Sequence, residues 1–161
     1  MKIKFMCNKH LSAVKSCNIF KLHNFWTSWI EVGLTAYQNK DFSKSLFYFG
    51  NARDVSVAEF AKKDFLIDSI SHLTTSSLLT ARIFNTINQY EMEQLCLSET
   101  FQFLGKKLHL SQHLTELDEA MRALLDSKLH VKYINDALKL ESIAIVYKIE
   151  PQQNNNYSLC H

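Results

Sequence analysis

The chain has 161 residues, enough for one domain with a core of its own, and 47% of them are apolar. It holds three glycines and one proline, where average usage would give about eleven and eight. Sheet proteins and loop-rich enzymes need those residues for turns, so a chain nearly without them is predicted to be mostly uninterrupted helix.

The net charge is +2 and unevenly spread. Lys2, Lys4, Lys9, Lys15 and Lys21 meet no acid within residues 1–23, which leaves the body mildly acidic and argues against a nucleic-acid groove. No apolar run reaches the roughly 18 residues that span a bilayer, and the stretch Ile3 to Met6 is too short for a signal-peptide core. Cys7, Cys17, Cys96 and Cys160 are scattered without a paired spacing. That pattern reads as reduced thiols and a cytoplasmic location.

Residues 1–23 have little periodicity and are expected to be a basic, weakly ordered leader. The helical domain is expected over 24–150. Phe25, Trp29, Val32, Gly33 and Ala36 recur at three- and four-residue steps and predict a helix over 24–39. Asn39-Lys40-Asp41 breaks it, and Asp41 suits the N-cap of the next helix. From Phe42 the pattern resumes with Ser45, Leu46, Phe49 and Ala52. So short a turn makes the two helices an antiparallel hairpin.

Lys62-Lys63-Asp64 is the next break. Leu66, Ile70, Leu73, Ser77, Ala81 and Phe84 then share one face of a further helix. Asn85 to Gln89 marks a turn, and residues 90–108 form the following helix. Ser111 is placed to cap a helix running to about Asp126, with Leu114, Leu117, Met121 and Leu124 apolar. A last helix is expected from about Lys128 to Lys148, stopped by Pro151. The tail 151–161, with Gln152-Gln153-Asn154-Asn155-Asn156, has too little apolar surface to fold and is expected to be disordered.

The segment 26–57 resembles one tetratricopeptide repeat. Trp29 precedes Val32-Gly33, Asp41-Phe42 stands at the turn, and Ser45, Phe49 and Ala52 supply the small-aromatic-small series of the second helix. Ala36 and Val57 depart from the pattern, which has Tyr and Pro there. A degenerate second copy fits 75–106, with Ala81 for Gly33, Phe84, Gln89-Tyr90 at the turn and Thr100 for Ala52. Ser77 and Glu93 replace its Trp and its small residue. The copies are 48 residues apart rather than the family's 34. The resemblance implies an all-α fold of about six helices, with antiparallel hairpins stacked as a short right-handed superhelix of tetratricopeptide type, of a small bacterial kind. It also implies a concave face made by the first helix of each repeat. That face carries Thr27, Ile30, Glu31, Leu34, Tyr37 and Gln38, then Thr75, Leu78, Leu79, Arg82, Asn85 and Thr86. Gly33 and Ser45 are expected to oppose each other across the hairpin, with Trp29 and Phe49 buried beside them.

Catalytic chemistry finds little purchase. Three glycines build no phosphate loop, and no nucleophile stands in a strand-to-helix elbow. Cys7, His10, Cys17 and His23 are zinc-ligand types at a spacing that fits no closed site. His113 and Glu116 share a helix face, but a di-iron bundle needs a second such pair beyond Glu93 and Glu99. Cys96 reads as a small core residue. The chain is therefore expected to be no enzyme, with no cofactor and no metal. It is expected to bind a protein or peptide segment on the concave face as an adaptor or chaperone-like module. The aromatic excess among residues 25–49 leaves room for self-association as a homodimer. The rival is a regulatory helical domain that takes a small molecule between helices.

Overall fold

The computed structural model describes residues 3–62, 67–108 and 113–141, which form seven helices and no strand. They are α1 (Asn8–Lys15), α2 (Ile19–Gln38), α3 (Phe42–Phe60), α4 (Ile67–Thr86), α5 (Tyr90–Gly105), α6 (Leu114–Leu125) and α7 (Ser127–Leu140). The expectations for Lys63-Asp64, Ser111 and residues 142–161 lie outside the described residues.

Capping follows local chemistry. Asn18, Asp41 and Asp126 each accept a bond from a backbone N–H of the following turn, at Lys21, Lys44 and Lys128. Each satisfies one donor that a helix start leaves orphaned. The α2–α3 and α4–α5 turns share one construction. In the first, Lys40 takes a positive φ of 58°, its N–H meets Tyr37 O and the Asp41 N–H meets Ala36 O. In the second, Asn88 takes φ 60°, its N–H meets Asn85 O and the Gln89 N–H meets Phe84 O. Both are Schellman ends, and they stand at the same 48-residue offset as the repeat copies.

From α2 onward consecutive helices pack in sequence order, while α1 packs on α3 and α4 also packs on α6 and α7. It is thereby enclosed, and every residue from His72 to Ala81 is buried. The resemblance implied an open curved face here; α6 and α7 cover it. The enclosed helix is rich in small hydroxyl residues. Ser76 Oγ donates to His72 O and Thr80 Oγ1 to Ser76 O, so these two hydroxyls are satisfied along their own helix. Across helices, Thr100 Oγ1 donates to Ser77 Oγ at 2.9 Å, and Ser56 and Ser76 hydroxyls meet at 3.3 Å.

The hairpin contact differs from expectation in two particulars. A Cβ on Gly33 would fall 2.5 Å from Phe49 Cε1, so the partner that needs this glycine is the Phe49 ring rather than Ser45. Trp29 is only half-buried, stacked on Phe25, whereas Trp26 is fully enclosed. Helix α2 is pressed from two sides, by α3 and by the side chains of α4. Its buried stripe therefore runs through Leu22, Trp26, Ile30 and Leu34.

The leader packs against the body. Ile3, Met6 and Val14 are buried and α1 contacts α3. The backbone N–H groups of Phe5 and Met6 donate to Asp54 Oδ2 at 2.7 and 2.8 Å. The fully enclosed Arg53 donates to Ile3 O at 3.2 Å and reaches Glu99 at 3.4 Å. The Phe5 ring occupies the space that a Cβ on Gly50 would need. An apolar segment fastened by two buried charges belongs to the core, whatever its lack of periodicity.

Candidate functional site

The expected concave face does not form a surface. Ile30, Leu34, Thr75, Leu78 and Leu79 are buried at 0–2% exposure, so no partner reaches them in this structure. Glu31 and Gln38 are exposed, and Thr27, Asn85 and Thr86 are half-buried. Tyr37 and Arg82, the residue types best suited to anchor a partner, engage each other instead. Arg82 Nε donates to Tyr37 Oη at 3.0 Å, and the guanidinium lies 5.8 Å from the ring centre. Asn85 is also taken, donating to Glu93 at 2.8 Å.

An open cleft lies on the other side of α4, where α6 and α7 diverge from its first turns. Its volume is about 570 Å³. Ile67 and Leu129 bring exposed apolar surface to it over the buried Ile70, Ala123 and Ala137, and Tyr133 and Ser71 contribute hydroxyls. Burial pushes the Tyr133 phenol up to about 12, so it stays neutral. Around the rim stand Asp68, Glu116, Glu119, Asp136, Arg122 and Lys132. Arg122 pairs with Asp118 at 2.6 Å and Lys132 with Asp136 at 2.8 Å, each along its own helix. The remaining rim charge, at Asp68, Glu116 and Glu119, is acidic.

A second polar assembly is buried where α2, α3, α4 and the end of α7 meet. The imidazole of His72 is fully enclosed. Its Nδ1 is 2.8 Å from Glu59 Oε2, and its Nε2 is 3.0 Å from Glu141 Oε1. His23 Nε2 approaches Glu141 Oε2 at 3.4 Å. The Trp26 ring stacks on His72 with centroids 4.0 Å apart. Burial alone would push His72 down, but the hydrogen bonds to Glu141 and Glu59 outweigh it and hold the group up at about 9. The same His72 contact, against the cost of burial, holds Glu141 below its ordinary value. The ligand atoms of His23, His72 and Glu141 all lie within 4.8 Å of one another.

The other candidates separate. Cys7 Sγ and His10 Nδ1 are 3.3 Å apart, but His23 belongs to the buried assembly. Glu93 serves Asn85 and Glu99 serves Arg53, so neither joins His113 and Glu116 as a metal set. Cys96 is buried, and burial pushes its thiol up to about 11, which makes it inert. Trp26, Glu59, His72 and Glu141 had no distinguishing mark in the sequence. Their meeting joins α2, α3, α4 and the residue that ends α7, elements far apart along the chain, and only a break in an otherwise apolar or small-residue face hints at the buried charges.

No protein-family profile, curated protein or solved structure matches the chain. The tetratricopeptide-like reading therefore rests on the residues quoted above alone.

Proposed function

We propose that this chain is a non-catalytic binding module that holds an amphipathic, basic segment of a partner protein in the α4–α6–α7 cleft. The observation that carries the reading is the pairing of an apolar floor with an acidic rim. Ile67 and Leu129 offer exposed apolar surface for a few anchors above the buried Ile70, Ala123 and Ala137, and an amphipathic helix in a groove is anchored in that way. Asp68, Glu116 and Glu119 select lysine or arginine flanks and disfavour acidic ones. This moves the binding surface from the α2 and α4 face, which the core consumes, to the last two helices. The inert buried thiol of Cys96 and the free Cys7 and Cys17 fit work in a reducing cytoplasm. No described helix is long and apolar enough to cross a membrane.

The cleft volume also falls in the range of small-molecule pockets, roughly 300–1,000 Å³, which keeps a small apolar ligand as the second reading. Selection of displayed peptides on the pure protein separates the two. Amphipathic sequences with basic flanks should be enriched, and Leu129→Asp should weaken the best of them about tenfold or more, as loss of an anchor does. Glu116→Lys with Glu119→Lys should weaken it further at low salt and much less at high salt. If no peptide is enriched, or if both variants bind as the parent does, the partner-segment reading fails. A ligand whose binding Leu129→Asp removes but the charge reversals leave intact would favour the small molecule.

A further inference from the structure

We propose that His23, His72 and Glu141 form a binding site for a divalent transition-metal ion of the zinc class, with Glu59 as the carboxylate that orients His72. The site is independent of the cleft, and nothing in the sequence spacing suggests it. Its ligands come from α2, from α4 and from the residue that ends α7.

The distances fit hydrogen bonds and lie close to those that an ion would need. Around a tetrahedral zinc with bonds of about 2.0–2.2 Å, neighbouring ligand atoms stand about 3.3 Å apart. Glu141 already lies 3.0 Å from His72 Nε2 and 3.4 Å from His23 Nε2, through its two oxygens. The two imidazole rings lie 5.1 Å apart between centres, tilted by 47°. Only a modest closing of His23 onto His72 completes the set. His23 can make that movement because its side chain is 40% exposed.

The support around the ligands is of the kind metal sites need. A metal-bound histidine usually gives its other N–H to a carboxylate, which fixes the tautomer and the ring plane. Glu59, itself buried, stands 2.8 Å from His72 Nδ1. With the proton there, donated to Glu59, the lone pair of Nε2 is turned toward Glu141 and His23. Trp26 closes one face of the ring, so His72 has no other plane to adopt.

Charge balance points the same way. Glu59 and Glu141 bring two negative charges into a site of low dielectric, and a single dication beside two neutral imidazoles cancels both. Three protein ligands with an exposed His23 edge leave a fourth position for water or an incoming group, the arrangement of open rather than purely structural zinc sites. Two imidazoles and a carboxylate suit zinc, iron or nickel, and disfavour calcium and magnesium.

The test is metal retention by the full chain. Protein stripped with a chelator is equilibrated with zinc, passed through gel filtration and assayed for metal, and cobalt is used in parallel for its visible bands. The parent should retain a single zinc ion per chain and show the intense visible absorption of tetrahedral cobalt. His23→Ala and Glu141→Gln should each abolish both signals. His23 is partly exposed, so its variant should keep the parent's circular dichroism. Glu59→Gln should keep the site but weaken it about 10–100-fold. Cys7→Ser with Cys17→Ser should change nothing. The proposal is overturned if the stripped parent takes up no metal, if His23→Ala and Glu141→Gln retain it, or if the cysteine pair removes it and so places the ion at the leader.

Discussion

Trp26 lies flat on His72, with ring centres 4.0 Å apart and planes inclined by 20°, and its Nε1–H donates to the His72 backbone carbonyl at 3.1 Å. One indole thus covers a buried imidazole and ties α2 to α4 at the same point. Two effects coincide there, the apolar burial of the largest side chain in the core and a hydrogen bond made away from water. Trp26→Ala should cost about 3–5 kcal/mol, read as a fall in the urea midpoint. Trp29→Ala, at the half-buried position favoured by the repeat pattern, should cost clearly less. Equal losses would show that the repeat pattern, and not the enclosure by α4, sets the core of α2.

Gly33 and Phe49 define a lock that a double-mutant cycle can open. A methyl at Gly33 collides with an aromatic ring that is itself packed on all sides. Gly33→Ala should destabilise by about 1–3 kcal/mol through overpacking, outweighing the helix-propensity gain of nearly 1 kcal/mol. In the background Phe49→Leu the same change should become neutral or favourable. Additive losses would mean that Gly33 is needed for a reason other than the ring.

The two left-handed turn residues give a graded prediction. Lys40 pays the full steric cost of positive φ, whereas Asn88 is one of the few types that tolerate it. Lys40→Gly should raise stability by about 1 kcal/mol, which is about 2–4 °C in Tm for a chain of this size. Asn88→Gly should give a smaller rise. Loss of stability in Lys40→Gly would mean that the lysine side chain contributes more than its backbone costs.

His130 makes stability fall in mild acid. Burial, aided by the nearby Arg82 charge and opposed by Asp126, holds its pKa below the ordinary 6.5. The unfolded chain therefore takes up a proton below about pH 6.5 that the folded chain refuses, and stability drops as pH falls through that window. His130→Gln removes the group from both states. The slope of unfolding free energy between about pH 6.5 and 5 should be shallower in the variant than in the parent. Parallel slopes would place the titration elsewhere.

Most of the helices were legible along the chain. The scarcity of glycine and proline set the class. Asp41 marked the start of α3 where the structure has it, and the Asn39–Asp41 and Asn85–Gln89 breaks located both Schellman turns. These are local features: caps, breaks and propensities act within a few residues, and one stretch of sequence contains all the atoms involved.

What faces what was decided only by the tertiary structure. Ile30, Leu34, Leu78 and Leu79 are apolar at helical spacing, and that pattern fits a partner's groove as well as a core. For α2 the packing of α3 and α4 made it core, and for α4 the arrival of α6 and α7 did. The same packing left Ile70, Ala123, Leu129 and Ala137 beside an open cleft, although nothing in their own segments sets them apart. Residues 3–6 showed no periodicity because an extended segment held by Asp54 and Arg53 needs none. Glu59, His72, Glu141 and His23 meet only when four elements close on one point. The free energy of that meeting depends on desolvation and on charge separation in space, and neither quantity exists for a chain that has not yet folded.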